Sequence, residues 1–142
     1  MISNKQIAIV GILGALAVAL GAFGAHTLKN QLPSGLITAD QLNGFDTAVK
    51  YQMYHSLAML LVVILKQNYS QKHLNASFYC FLTGIILFSG SLYFLTTRNL
   101  YGADYLKALG PITPIGGLFF IVGWLLLVFA AIKRNVNSID HQ

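Results

Sequence analysis

Two histidines sit in apolar sequence, His26 in "GAFGAHTL" and His55 in "YQMYHSLAMLL". Imidazole titrates near neutral pH, hydrogen-bonds through two nitrogens and ligates metals or haem iron. Tyr51 and Gln52 stand one helical turn before His55, and Tyr93, Thr96, Thr97 and Thr113 add hydroxyls further along. Most chemistries fail on the residue set. A metal centre needs three or four ligands, and only two histidines lie in apolar sequence, with no carboxylate on their face. A nucleophile needs a base within reach; Ser56 adjoins His55 but lies about 100° round a helix. Cys80 lies toward the opposite end of its span. His73 and His141, in a loop and the tail, read as plain surface residues. A bis-histidine haem through His26 and His55 needs a wide slot, which close-packed Gly and Ala faces do not leave. The glycines form no phosphate-binding loop. The reading is therefore no catalytic residue, no metal and no cofactor, with His26, Tyr51, Gln52, His55, Tyr93, Thr96 and Thr113 as a polar network or a ligand-binding cluster.

The elements that carry these residues follow from composition. The chain has 142 residues, enough for one domain, and is 56% hydrophobic but only 9% charged. A soluble domain carries about 25% charged residues; this chain contains no Glu and cannot make a charged coat. Its net charge of +5 comes from basic residues scattered around apolar runs, the pattern of membrane-flanking charge rather than of nucleic-acid binding. The lone Cys80 excludes an internal disulfide.

Ile7 to Ala25, Ala76 to Thr97 and Ile112 to Ile132 are uncharged and meet the length of about 20 residues that crosses hydrocarbon. A fourth run, Tyr51 to Leu65, is shorter, but Asp46 and Lys50 are four apart and can pair on one helix face. Four spans are expected at 6–26, 45–65, 76–97 and 112–133. The first is longer than the apolar core of a signal peptide. The fold class is an all-α, integral membrane four-helix bundle with short loops over residues 66–75 and 98–111. Between 26 and 45, Pro33-Ser34-Gly35 makes a turn, and Thr38 with Gln41 fits a capping box. The second helix is thus expected to start near Ala39 with an interfacial segment. Pro111 and Pro114 suit the first turn of the fourth.

Small residues let helices approach closely in lipid. On a helical wheel the first span puts Ile9, Ile12, Leu13, Leu16, Leu20 and Phe23 on a lipid side, and Gly11, Gly14, Ala15, Ala17, Gly21, Ala22, Gly24 and Ala25 on a bundle side, with His26 at its edge. Ser77, Gly84 and Ser91 in the third span, and Gly116, Gly123 and Ala130 in the fourth, repeat small residues at heptad spacing. Gly14, Gly21, Gly84, Gly116 and Gly123 are the packing positions. In the second span Ala48, Tyr51, Gln52, Ala58, Met59 and Val62 share a face with His55, and Asp46 and Lys50 point away. By topology the polar residues occupy one half of the bilayer, leaving the other half apolar. Lys5, Lys66, Lys72, Lys133 and Arg134 lie on one side, against Lys29, Lys50, Arg98 and Lys107 on the other, which favours cytoplasmic termini.

"GAFGAHTL", "FDTAVKYQMYHSLAMLL", "FSGSLYFL" and "LGPITPIGGLFFIVGWLLL" resemble the small multi-pass membrane family known as domain of unknown function 423, or uncharacterised protein family 0382; transmembrane protein 256 of animals is similar. The resemblance touches all four spans. It implies an integral protein of a bacterial cell membrane and brings no activity, substrate or catalytic residue. The residues themselves favour a non-enzymatic membrane protein that contacts the lipid bilayer, forms a homo-oligomer or joins a partner subunit, and binds no nucleic acid. Its polar cluster is structural or binds a small ligand or lipid. The alternatives are a small oligomeric transporter or proton-linked permeation element, and a membrane enzyme or haem-binding protein.

Overall fold

The computed structural model describes residues 4–139, with side chains through Ile132; His141 lies outside the described residues. Four long apolar helices dominate: α1 (Asn4–Gln31), α2 (Ala39–Leu65), α3 (Gln71–Tyr101) and α4 (Ile112–Ile139). All four are long and apolar enough to cross a membrane, and a helix satisfies its own backbone there. A 3₁₀ segment, Asp104–Leu109, joins α3 to α4. The helices pack side by side in chain order, α1 on α2, α2 on α3 and α3 on α4. The flanking position of α1 shows in its burial: 17% of its apolar stretch is buried, against 44% for α2.

Helix starts reflect local chemistry. Thr38 accepts a hydrogen bond from the Gln41 amide at 3.2 Å, and the Gln41 side chain accepts one from the Thr38 amide at 3.0 Å. This reciprocal cap satisfies two donors that the helix cannot. From Ala39 the helix runs without a break, so the segment ahead of the second span is its own first turns. Pro111 and Pro114 bracket the start of α4, where the missing amide protons cost little.

Two helices carry one π turn each, Gly24–Leu28 in α1 and Ile85–Ser89 in α3. A π turn inserts a residue and rotates the rest of the helix about its axis. In α3 it separates Gln71–Gly84, which packs on both α4 and α2, from Gly90–Thr97, which packs chiefly on α2. The main core is Ala58, Met59, Val62 and Val63 of α2 against Phe78, Phe81 and Ile85 of α3, closed by Val10 and Phe120. A second cluster, Leu28, Ile37 and Phe45, anchors the α1–α2 loop.

The buried face of α1 differs from the helical-wheel expectation. Gln6, Val10, Ala17, Gly24 and Leu28 are buried, whereas Gly11, Ala15, Ala22 and Ala25 are exposed. Ile12, Leu16 and Phe23 face outward as expected, but Leu13 and Leu20 are half-buried. The helix is turned by roughly a quarter turn on a wheel of 100° per residue, so the border between its small and bulky sides meets α2. Space at Gly21 and Gly24 explains the choice. An added Cβ would lie 3.3 Å from Val49 at Gly21 and 3.0 Å from the Phe45 ring at Gly24. At Gly14 nothing lies within 4 Å.

Candidate functional site

Gln52 is the hub of the polar residues. Its Nε2 donates to the Leu13 carbonyl of α1 at 2.8 Å, and its Oε1 accepts from the Tyr93 hydroxyl of α3 at 2.9 Å. One amide thus links three helices. Ser56 donates to the Gln52 carbonyl at 2.7 Å and Ser89 to the Ala48 carbonyl at 2.8 Å. Such bonds contribute roughly 0.6 to 2 kcal/mol each in a membrane bundle.

His55 lies one turn further along α2, about 60° round it from Gln52, and packs against α3 and α4. Its Nδ1 is 2.8 Å from the Tyr51 carbonyl and its Nε2 is 3.4 Å from Trp124 Nε1. A carbonyl can only accept and an indole N–H can only donate. The ring is therefore the neutral Nδ1–H tautomer with both nitrogens engaged. Its face stacks on Phe120 at 3.5 Å and 9°, and Phe81 and Trp124 stand around it. Tyr51 stacks on Phe88 at 4.7 Å.

Above these rings a lateral groove of about 690 Å³ runs between α2 and α4. Tyr51, Tyr54 and His55 form one wall, Leu118, Ile121 and Trp124 the other, with Phe88 and Phe120 below. The volume is that of a small-molecule site, typically about 300–1,000 Å³. No charged residue lines it. Tyr51 and Tyr54 are exposed on the groove wall, and the Lys50 ammonium interacts electrostatically with Tyr54. At 1.5 Å rise per residue, Tyr51, Tyr54 and His55 lie about 9, 14 and 15 Å along α2 from Phe45. His55 therefore sits near the middle of the 45–65 stretch.

The expected single cluster resolves into separate sites. Tyr51, Gln52, His55 and Tyr93 belong to the hub and the groove. Thr113 pairs with Ser91 at 2.6 Å, across the start of α4. Thr96 donates to the Leu92 carbonyl of its own helix at 2.6 Å, and its methyl group faces Gly44, where a Cβ would lie 2.9 Å away. His26 is exposed and does not join Tyr51, Gln52 and His55. It stands two residues beyond buried Gly24, close to the opposite side of the turned helix. His73 is not a loop residue; it lies in the first turn of α3, 3.0 Å from the Ser70 hydroxyl.

The packing glycines are closely fitted in α3 and α4. A Cβ at Gly84 would lie 2.4 Å from Phe120, one at Gly123 2.5 Å from Phe81, and one at Gly116 2.3 Å from the Phe88 backbone nitrogen. Ser77 donates across the same seam to the Gly123 carbonyl at 2.9 Å. The sequence reading missed Tyr54 and Trp124. The signal available was the single Trp of the chain lying deep in an apolar run, where an indole N–H needs an acceptor. It also missed Lys66, which is buried and donates to Gln6 Oε1 at 2.6 Å, over the Phe78 ring.

The family model described as a protein of unknown function (DUF423) matches residues 20–117. The UPF0382 membrane protein SAB0533 of Staphylococcus aureus (strain bovine RF122 / ET3-1) is 42% identical over 130 residues, covering 91% of this chain and 97% of that protein. The UPF0382 membrane protein YwdK of Bacillus subtilis (strain 168) is 39% identical over 131 residues, covering 91% and 98%. One from Haemophilus influenzae (strain ATCC 51907 / DSM 11121 / KW20 / Rd) is 38% identical over 134 residues, covering 93% and 97%. No solved structure gives a significant match. With four apolar helices and relatives that align along nearly their whole length, the chain belongs to the DUF423 family of membrane proteins.

Proposed function

We propose that the chain is a non-enzymatic protein of the bacterial cell membrane whose α2–α4 groove takes up a small bilayer-soluble molecule. The Gln52–Tyr93 hub has the separate task of holding α1, α2 and α3 together. The observation that carries this reading is the groove of about 690 Å³ between α2 and α4, lined by aromatic and apolar side chains and by no charged residue. A small apolar molecule in the groove covers the exposed Tyr54, Leu118, Ile121 and Trp124 side chains that line it.

His55 contributes a ring surface. Both of its nitrogens are engaged in the neutral form, and His26, the other histidine that the permeation alternative would use, is exposed elsewhere. Both facts weigh against proton-linked permeation. The count of basic residues supports cytoplasmic termini. The outer faces of α1 and α4, with Ile12, Val18, Leu125 and Phe129 exposed, suit lipid contact, and a second copy is the competing occupant of the groove.

Native mass spectrometry of the full chain from mild detergent tests the reading. One retained small molecule per chain is expected, lost when Gly117→Leu and Ile121→Trp narrow the groove. A bare chain that stays folded, or a retained mass unaffected by those changes, refutes it.

A further inference from the structure

We propose that the junction between the start of α2 and the end of α3 binds a terminal phosphate through Arg98 and Gln41, at a place apart from the groove. The basis is two buried donors without an acceptor. Gln41 is only 7% exposed. Its Oε1 accepts twice, from the Thr38 amide at 3.0 Å and from Asn99 Nδ2 at 3.3 Å. That fixes the orientation of the amide, with Nε2 as its donor end. Among the described residues nothing accepts from this Nε2, nor from the Nε of Arg98, the chain neighbour of Asn99, and both atoms are buried. The junction is tight: a Cβ at Gly44 would lie 2.9 Å from the Thr96 methyl group. Buried donors are nearly always matched, so two at one junction mark a place for acceptor oxygens.

Charge gives the class. The ion pairs among the described residues are Lys50 with Asp46 and Lys107 with Asp104, so Arg98 has no carboxylate partner there. Its Nη1 donates to the Leu95 carbonyl at the end of its own helix, which leaves the rest of the guanidinium fork. The positive end of the α2 dipole lies at the same junction. A fork of N–H donors with a fixed charge matches an oxyanion. A carboxylate spends both oxygens on one such fork, whereas a terminal phosphate keeps a further oxygen for Gln41. Inorganic phosphate and the headgroup of phosphatidic acid share this chemistry. Arg98 follows the uncharged run Ala76 to Thr97, at the level where hydrocarbon gives way to headgroups, and it is only part buried, so an oxygen can enter beside it from that layer. The competing counter-charge is Asp40, one residue before Gln41 and exposed.

The full chain in dodecyl maltoside, a detergent without phosphate, is melted in the presence of inorganic phosphate and, separately, of dioctanoyl phosphatidic acid. Chloride at matched ionic strength and dioctanoylglycerol are the blanks, and fluorescence-detected size exclusion is the readout. A saturable rise in melting temperature is expected, with half-saturation raised about tenfold or more in Arg98→Gln. A response to phosphatidic acid alone assigns the site to a lipid headgroup; a response to inorganic phosphate as well assigns it to the free anion. Gln41→Glu guards against a variant that merely unfolds. Glu keeps the capping oxygen at the third helical position and sets a carboxylate beside Arg98. That chain should melt no lower than wild type and no longer respond to phosphate. A wild type that answers neither ligand, an equal response in Arg98→Gln, or a full response in Gln41→Glu overturns the inference. So does Asp40→Asn melting as low as Arg98→Gln with the double variant no lower, since Asp40 is then the counter-charge.

Discussion

Replacing Gly116 with Ala is expected to force α3 and α4 apart. The new Cβ would stand 2.3 Å from the Phe88 backbone nitrogen and 2.8 Å from its Cα. A rotamer change cannot relieve a clash with backbone, so the helices must separate by about 1 Å, and a gap of that size forfeits a quarter to a half of each nearby van der Waals contact. Overpacking of this kind costs about 1–3 kcal/mol, here at the upper end, and the better helix propensity of Ala returns about 1 kcal/mol. The net expectation is a loss of about 2 kcal/mol, or a melting temperature lower by on the order of 6 °C for a chain of this size. Gly14→Ala is the internal control. With nothing within 4 Å, only the propensity remains, and stability should be unchanged or slightly higher. Gly84→Ala and Gly123→Ala meet aromatic rings rather than backbone and should fall between. Fluorescence-detected size exclusion after heating in mild detergent ranks the four variants. A Gly116→Ala protein that melts with wild type, or below which Gly14→Ala falls, would refute the assignment of the α3–α4 seam as a backbone contact.

Gln52→Leu should destabilise by about 1–3 kcal/mol, since it removes two interhelical bonds; adding Tyr93→Phe should then cost little more, a non-additivity that a double-mutant cycle on thermal unfolding measures. His26→Ala should alter stability by no more than the scatter of surface substitutions, about 0.5 kcal/mol, whereas His55→Ala should melt measurably lower because it opens a gap against Phe120. Burial holds the Lys66 ammonium below its ordinary pKa of 10.5. The unfolded chain then binds more protons between the folded value and 10.5, so stability should rise as pH climbs through that window; melting curves of wild type against Lys66→Met test this, and equal pH slopes would contradict it.

Much of the fold was legible because its signals are local. Apolar length located the four helices, Thr38 and Gln41 marked the start of α2, and heptad spacing found Gly84, Gly116, Gly123 and Ala130 on buried faces. The face of α2 bearing Gln52 and His55 was also readable, since a straight helix with one polar stripe has one sensible orientation. The rotation of α1 was not. Its apolar residues surround the whole helix, so a wheel finds a small side but not which edge of it fits between Val49 and Phe45. His26 was misplaced for that reason. The division of the polar residues into a hub and a groove was equally hidden. Gln52 and His55 are neighbours on a wheel, yet one reaches α1 and the other faces α4, a difference set by partners distant in sequence.

The π turn at Ile85–Ser89 means that α3 works as two gears on one shaft, cut out of phase by a single tooth. Below the turn, Ser77, Phe81 and Gly84 mesh with α4; Ser89 at its end and Tyr93 above it mesh with α2. An uninterrupted α-helix of the same residues would rotate the upper teeth by about 100° and swing Tyr93 away from Gln52. Alignment in this protein is thus encoded by residue count as well as residue type. A one-residue deletion within 85–89 would remove the π turn and keep Tyr93 in phase with Gln52, whereas a second deletion would rotate Tyr93 away by about 100°.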